Sequence, residues 1–190
     1  MPQLMLKDIP LSFPAIDAPK AFGEGEPAYG AKLVVVPNSE HANQLDEALD
    51  EAASEKWAKE DWEAIIDELI DDNRVCFVKK EYRNKKTRLP YDGFKGMWYL
   101  STRNANVQPT VLDKFGNVIT DPKKIAQLIY SGCRVHAKVE VWAQDNTFGR
   151  RLNCTLMGVM FAGDGQRFGG AGAASADDFA GLAADAAEFL

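Results

Sequence analysis

Residues 133–144 alternate strictly between apolar and polar side chains, and this pattern constrains the fold more than any other in the chain. Successive side chains of a β-strand point to opposite faces of a sheet, so the alternation predicts a half-buried strand. The turn residues Asp145-Asn146-Thr147 lead into a second run, 148–161, in which Leu152 and Leu156 face inward. Together the two runs predict a long β-hairpin in a mainly β protein.

The first half of the chain supplies one further strand and a helical block. Residues 29–36 form a β-branched run that is typical of a strand buried on both faces. Residues 40–72 carry apolar residues at helical spacing after a Ser39 N-cap, which predicts a helix pair or one bent helix with an acidic outer face. Residues 1–30 are rich in proline and glycine and are predicted to be mostly loop, with a short edge strand at 11–13.

The middle of the chain, 74–103, is predicted to form two strands joined by a basic loop. The strands are expected at 74–82 and 94–103, and the alternation of the second places Tyr99 on a solvent-facing side and Trp98 in the core. A short helix is expected at 122–131, where an aspartate and a proline start the segment and a glycine follows it.

Composition excludes several classes of protein. The 190 residues carry 46% hydrophobic side chains, enough for one globular domain with appendages, and include no apolar run of about 20 residues for crossing a bilayer. The N-terminus has no signal-peptide core, so the protein is expected in the cytoplasm. Three scattered cysteines and two histidines fit no metal site, cofactor motif or catalytic motif, so no enzyme is predicted.

Charge is segregated along the chain. The formal net charge is −6, yet residues 74–103 hold nine Lys or Arg against two acids, with aromatic residues interleaved. Such a stretch predicts an anionic partner, because lysines and arginines attract phosphates and flat rings let unstacked bases lie on them. A solvated β-hairpin with a basic tip explains the same residues, and the segment alone does not decide between these readings.

The candidate nucleic-acid-binding residues are the basic and aromatic side chains expected on the solvent-facing side of this stretch and of the long hairpin. They are Lys79, Lys80, Tyr82, Arg83, Lys85, Lys86, Arg88, Tyr91, Lys95, Tyr99, Arg103, Trp142, Arg150 and Arg151. Trp142 is included because it falls on the polar face of its strand, where a tryptophan needs a packing partner or a base.

The C-terminal part differs in composition from the rest. Residues 163–172 are glycine-rich and are predicted to be a flexible linker, and no basic residue follows Arg167. The C-terminal end is an acidic and aromatic segment, which predicts a tethered peptide that docks into other proteins. The alternatives are a disordered solubilising end and a peptide that competes with DNA for the groove. Its candidate partner-binding residues are Asp177, Asp178, Phe179, Asp185, Glu188, Phe189 and Leu190.

The run 130–170, YSGCRVHAKVEVWAQDNTFGRRLNCTLMGVMFAGDGQRFGG, resembles the phage family of OB-fold single-stranded DNA-binding proteins. The resemblance implies an α+β, mainly β protein with inserted helices, built on a five-stranded OB-fold barrel over 1–162 with a helical insertion at 40–72. It also implies a disordered tail within 163–190, coating of single-stranded DNA in a bacterial host cell, and recruitment of replication or recombination proteins by the tail. Formation of a homo-oligomer is compatible with it.

Two other functions fit the same residues. A β-barrel interaction protein or virion-associated protein would use its basic face to meet an acidic protein. A strand-annealing recombination accessory would bind single strands and also speed the pairing of complements. Charge reversal in the basic loop distinguishes the first from a DNA-binding protein, and an annealing time course distinguishes the second.

Overall fold

The computed structural model describes residues 1–21 and 24–169. Over these residues the chain forms seven strands and three helices. The strands are β1 (Gln3–Lys20), β2 (Ala28–Val35), β3 (Phe77–Val78), β4 (Trp98–Asn104), β5 (Thr110–Leu112), β6 (Arg134–Asn146) and β7 (Gly149–Gly163). The helices are α1 (Glu40–Lys56), α2 (Trp62–Asp71) and α3 (Pro122–Leu128). The prediction of a mainly β chain with helices between the strands is therefore confirmed.

The strands form one sheet in the order β3-β4-β2-β1-β6-β7-β5. All neighbours are antiparallel except β5 and β7, which are parallel. The predicted closed barrel of five strands is wrong, because the sheet is open and has seven strands. Its two sides nevertheless approach each other, since Val75 forms a bridge to Leu152 of β7 and the Cys76 amide donates to the Leu152 carbonyl at 2.9 Å.

The long hairpin is confirmed as β6 and β7. The two strands pair from Asn146 and Gly149 onward, so a two-residue turn of Thr147 and Phe148 joins them. Gly149 adopts a φ of 93°, a conformation that glycine tolerates without steric cost. The inward residues of β6 from Val135 to Val141 are fully buried, as the alternation requires.

The N-terminal region is a long strand rather than the predicted loop. β1 runs for 18 residues and changes partner midway, pairing with β6 up to Pro10 and with β2 from Leu11. Its prolines lie at this change of partner or within the register shifts, where a missing amide hydrogen breaks no regular ladder. Asp8 and Phe13 adopt positive φ at two of these irregular sites. The proline content that predicted a loop therefore marks bulges in a central strand.

The helical block contains the predicted helix pair. The Ser39 hydroxyl caps α1 by accepting from the Ala42 amide, and the Asp61 carboxylate caps α2. The buried face of α1, which includes Leu45 and Leu49, packs against β6 and β1. Trp57 is 2% exposed at the end of α1, so it is a packing residue.

Three predicted elements are shorter in the structure. The strand expected at 74–82 is reduced to β3, the strand at 94–103 begins only at Trp98, and α3 ends at Leu128. Gly93 and Gly96 have positive φ, which breaks the extended backbone before β4.

The three cysteines are free and buried. No helix in residues 1–21 and 24–169 is long and apolar enough to cross a membrane.

Residues 164–169 lie against the domain. The Phe168 amide donates to the Ser131 carbonyl at 2.9 Å, and the Arg167 guanidinium lies 4.2 Å from the centre of the Tyr130 ring. The tail residues predicted to bind partners, which begin at Asp177, lie outside the described residues.

Candidate nucleic-acid interface

A groove with a cavity volume of about 710 Å³ runs between β2 and β4 on one side and the β6–β7 hairpin on the other. Residues 75 and 76, which connect to β7, also line it. Five of the candidate residues lie in this groove, together with two lysines that are not among the candidates. The five are Tyr82, Tyr99, Arg103, Trp142 and Arg151, and the additional residues are Lys20 and Lys32.

Two tyrosines form the aromatic part of the groove. The ring centres of Tyr82 and Tyr99 are 4.9 Å apart with their planes inclined at 51°. A fully buried Phe94 contacts both rings edge-on, at 5.5 Å from Tyr82 and 6.3 Å from Tyr99, and Phe13 contacts Tyr82 from β1. The two rings are therefore held by packing before any ligand arrives, which lowers the entropic cost of stacking a base on them.

Tyr91 belongs to the same cluster but not to the groove. Its ring lies 4.8 Å from Tyr82 and 5.0 Å from Phe13. It supports Tyr82 from behind, because it is absent from the groove lining while Tyr82 is part of it.

Burial raises the pKa of both Tyr82 and Tyr99, so the two rings in the groove remain neutral at physiological pH.

Lys32 lies in the middle of β2 and extends its ammonium to these rings. Its Nζ is 4.8 Å from the centre of the Tyr82 ring and 5.4 Å from that of Tyr99, and it donates a hydrogen bond to Ser101 Oγ at 2.5 Å. Loss of hydration on burial lowers the pKa of Lys32 to about 8. The lysine thus places a positive charge among aromatic rings inside the groove.

Trp142 lies on the opposite side of the groove, on β6. The indole is half-buried, and its Nε1 donates to Thr155 Oγ1 of β7 at 3.0 Å, which fixes the ring against the neighbouring strand. Beside it the side-chain amides of Gln144 and Asn153 are joined by a hydrogen bond of 3.2 Å. Amide groups next to aromatic rings are suited to hydrogen bonding with the edges of unpaired bases.

Positive charge predominates in the groove lining. Lys20, Lys32, Arg103 and Arg151 contribute cations, and Glu26 is the one carboxylate that lines it among the described residues. Arg103 is positioned by a hydrogen bond of 3.1 Å from its Nη2 to the Glu26 carbonyl, and Arg151 is exposed at the hairpin end. A chain of negative net charge therefore carries a local site that favours an anion.

The basic loop, residues 83–90, continues from Tyr82 at the edge of the groove. Its ends are joined by a bridge between Arg83 and Pro90, and the Asn84 side chain accepts from two backbone amides within it. Its cations, Lys85 and Lys86 among them, are exposed. Because Tyr82 lies at the base of the loop, these charges stand beside the groove rather than inside it.

The remaining candidates lie elsewhere and have other contacts. Lys79 forms an ion pair of 2.9 Å with Asp46 of α1, and Lys80 donates to the Asn73 side chain. Arg150 makes two hydrogen bonds to the Glu60 carboxylate and one to Asp145, and it lies over the Trp57 ring. These contacts connect the helical block to the sheet. Lys95 is exposed outside the groove lining.

Sequence reasoning missed Lys20, Lys32 and the groove amides. The one available signal for Lys32 was a single cation inside the apolar run of 29–36, which reads as buried. The amides of Gln144 and Asn153 carry no distinguishing sequence pattern, because polar residues are expected on the outer face of any hairpin.

Across residues 1–21 and 24–169 there is no group of three or more potential metal-ligating side chains close enough to hold an ion.

Comparisons with known proteins identify related phage proteins. A family model described as the ssDNA-binding protein of Enterobacter phage Enc34 matches residues 2–190. A curated relative, putative protein p50 of Acyrthosiphon pisum secondary endosymbiont phage 1, is 29% identical over 180 residues, which cover 93% of this chain and 92% of the relative.

Solved structures share the fold. The single-stranded DNA-binding protein from bacteriophage Enc34, solved in complex with ssDNA, has a TM-score of 0.69 at 24% identity over 88% of this chain and 89% of that one. The single-stranded DNA-binding protein gp2.5 of bacteriophage T7 has a TM-score of 0.56 at 15% identity, over 97% of this chain and 96% of that one. The overall architecture is thus shared with DNA-binding proteins of two phages.

Proposed function

The chain belongs to the family of the Enterobacter phage Enc34 ssDNA-binding protein, and from this premise we propose that it binds single-stranded DNA in the groove. The observation that carries the proposal is the arrangement of Tyr82, Tyr99 and Trp142 with cations between and beside them. Rings that face across a groove accept stacked bases, and the cations neutralise the phosphates that run alongside. The family is one of binding proteins, a class without catalytic activity.

The path of the strand follows the positive charge. A strand that enters at the hairpin end meets Arg151 and Trp142, crosses Lys32 and the two tyrosines, and leaves beside the basic loop with Lys85 and Lys86. Stacking on tyrosine and tryptophan accepts every base, because each base has a π face. We therefore expect coating of single strands with little sequence preference, as a step in phage DNA replication or recombination in the host cytoplasm.

The proposal gives the C-terminal tail a role separate from that of the DNA-binding domain. Residues 1–162 would act as the DNA-binding domain, and residues 163–190 would act as linker and tail, with the acidic-aromatic end recruiting replication or recombination proteins. A chain that ends at Gly172 tests this division. Its affinity for single strands should equal or exceed that of the full chain, because the removed residues include only acidic charges. A large loss of affinity would place part of the DNA site in the tail.

The test of the proposed function is a fluorescence anisotropy titration of labelled oligo-dT with the full chain at several salt concentrations. The four groove cations, Lys20, Lys32, Arg103 and Arg151, predict that log affinity falls with log salt at a slope of about −2.8, since each phosphate contact on a single strand contributes about −0.7. Contacts from the basic loop would make the slope steeper.

Two double variants show where the binding occurs. Replacing Arg103 and Arg151 by alanine removes two groove cations and should reduce the slope by about 1.4 while weakening binding. Replacing Lys123 and Lys124 by alanine removes the same charge from the exposed surface of α3 and serves as the matched control. Equal losses in both variants would mean that only net charge matters. Absence of binding by the unmodified chain would favour an acidic protein as partner of the basic face.

A further inference from the structure

The side chain of Lys32 has an unusual environment for a lysine. It projects from the centre of β2, whose residues Leu33, Val34 and Val35 are buried, and it ends between two tyrosine rings in the groove. Lys32 is half-buried, and a lysine that loses part of its hydration is normally paired with a carboxylate, because an unpaired ammonium that loses water destabilises the folded state. Among the described residues, its Nζ instead donates to the neutral hydroxyl of Ser101.

We propose that Lys32 is the internal anion-binding group of the groove, and that its ammonium donates to a phosphate of the bound strand while Tyr82 and Tyr99 hold the adjoining bases. The proposal rests on the proposed function and names the residue that couples phosphate binding to base stacking within it. An ammonium has three N–H donors, and one is used by Ser101, so two are available to phosphate oxygens.

The geometry favours a ligand role over a structural role. A methionine or leucine at this position would fill the same space in an apolar strand without losing hydration, so burial alone gives no reason for a charge here. The contacts to both rings hold the ammonium close to any base that stacks on either ring. The phosphate of that nucleotide then enters the groove beside the ammonium. A phosphate would therefore restore the favourable interactions that the ammonium loses on burial.

The position of Lys32 makes binding sensitive to pH. With a pKa of about 8 in the free protein, Lys32 is about nine-tenths protonated at pH 7 and about one-tenth protonated at pH 9. A phosphate favours the charged form, so binding above pH 8 takes up a proton and affinity falls as pH rises. Affinity at pH 9 is therefore weaker than at pH 7 by up to about tenfold, a limit that applies when only the protein with charged Lys32 binds.

Other ionisable groups also line the groove and must be separated from Lys32. They are Lys20 from β1, Glu26 before β2, Tyr29 from β2, Cys76 before β3, Tyr82 before the basic loop, Tyr99 and Arg103 from β4, and Arg151 and Cys154 from β7. Burial raises the pKa of Tyr82, Tyr99 and Cys154 further above neutral pH. Comparison of the unmodified chain with K32R isolates the titration of Lys32, because arginine keeps its charge throughout this range.

The experiment measures oligo-dT affinity of the full chain at pH 7 and pH 9 for the unmodified protein, K32R, K32M and the control K7M, together with the thermal midpoint of each. Lys7 is an exposed strand lysine on β1 outside the groove lining. We expect a loss of up to about tenfold from pH 7 to pH 9 in the unmodified protein and K7M, and little pH dependence in K32R or K32M. K32M should bind more weakly at pH 7 and yet have a higher thermal midpoint, because the desolvated charge is removed.

The outcomes separate this proposal from the proposed function. Binding by the unmodified chain that is equal at pH 7 and pH 9, or a K32M variant with unchanged affinity, overturns the role of Lys32 alone. A lower thermal midpoint or failed folding of K32M would make Lys32 a structural residue and would also overturn it. If the unmodified chain binds no oligo-dT at either pH, the proposed function fails, and the role of Lys32 fails with it.

Discussion

Replacement of Tyr99 by leucine tests whether stacking in the groove contributes to affinity. Tyr99 and Tyr82 are part of the groove, and their ring centres are 4.9 Å apart. A base stacked on an aromatic side chain contributes about 1–3 kcal/mol, so loss of this ring should weaken oligo-dT binding by about 5- to 150-fold. Leucine retains apolar volume at the site but offers no flat face.

The same substitution also removes aromatic contacts within the protein, and this effect must be measured separately. Tyr99 packs against Tyr82 and, at 6.3 Å and edge-on, against Phe94. Aromatic pairs of this kind contribute about 0.5–1.5 kcal/mol each, so the free energy of unfolding should fall by about 1–3 kcal/mol. Urea denaturation measures that loss. The affinity is then compared in buffer without urea, at a temperature well below the unfolding transition.

Trp98→Leu is the matched control for this effect. Trp98 precedes Tyr99 on β4 but packs against the core, with its ring centre 6.0 Å from that of Phe77, and it does not line the groove. It should lower stability by a similar amount and change affinity by less than about twofold. Equal affinity of the Tyr99 variant and the unmodified chain would refute stacking at this ring. An equal loss in both variants would assign the effect to general destabilisation.

Two further substitutions test the structural account. Arg150→Ala removes both hydrogen bonds to Glu60 and should lower the thermal midpoint. It should weaken oligo-dT binding less than the Arg103 and Arg151 double variant described above. A larger loss of affinity than in the double variant would place Arg150 in the site. Gly30→Ala should lower the free energy of unfolding by about 1–3 kcal/mol in urea denaturation, because its Cβ would lie 2.2 Å from the Thr102 carbonyl oxygen, whereas Gly163→Ala meets no atom within 4 Å and should be neutral.

The sequence predicted the elements whose pattern is local. The β6–β7 hairpin follows from alternation, and the α1–α2 pair follows from helical spacing and the Ser39 cap. β1 was missed because its prolines resemble loop residues, and only the sheet shows that Pro10 lies where the strand changes partner. The open order of seven strands depends on pairings between distant segments, which no local pattern encodes.

The candidate site was predicted in kind but not in detail. Clustering of charge identified the basic stretch, yet sequence distance does not show which side chains share a surface. Arg150 and Arg151 are adjacent in the chain, but the first contacts the helical block and the second lines the groove. Lys32 was hidden in a run that predicts a buried strand, and its role depends on rings that lie 50 and 67 residues further along the chain.

The most direct test of the central claim is photocrosslinking of the full chain to oligonucleotides that carry 5-iododeoxyuridine, followed by mass spectrometry of the crosslinked peptides. Aromatic residues stacked on the base are the expected partners, so the crosslinks should fall on Tyr82, Tyr99 or Trp142. Crosslinks confined to the helical block at 40–72, or to Phe115, which is exposed in the connection between β5 and α3, would contradict the groove as the binding site.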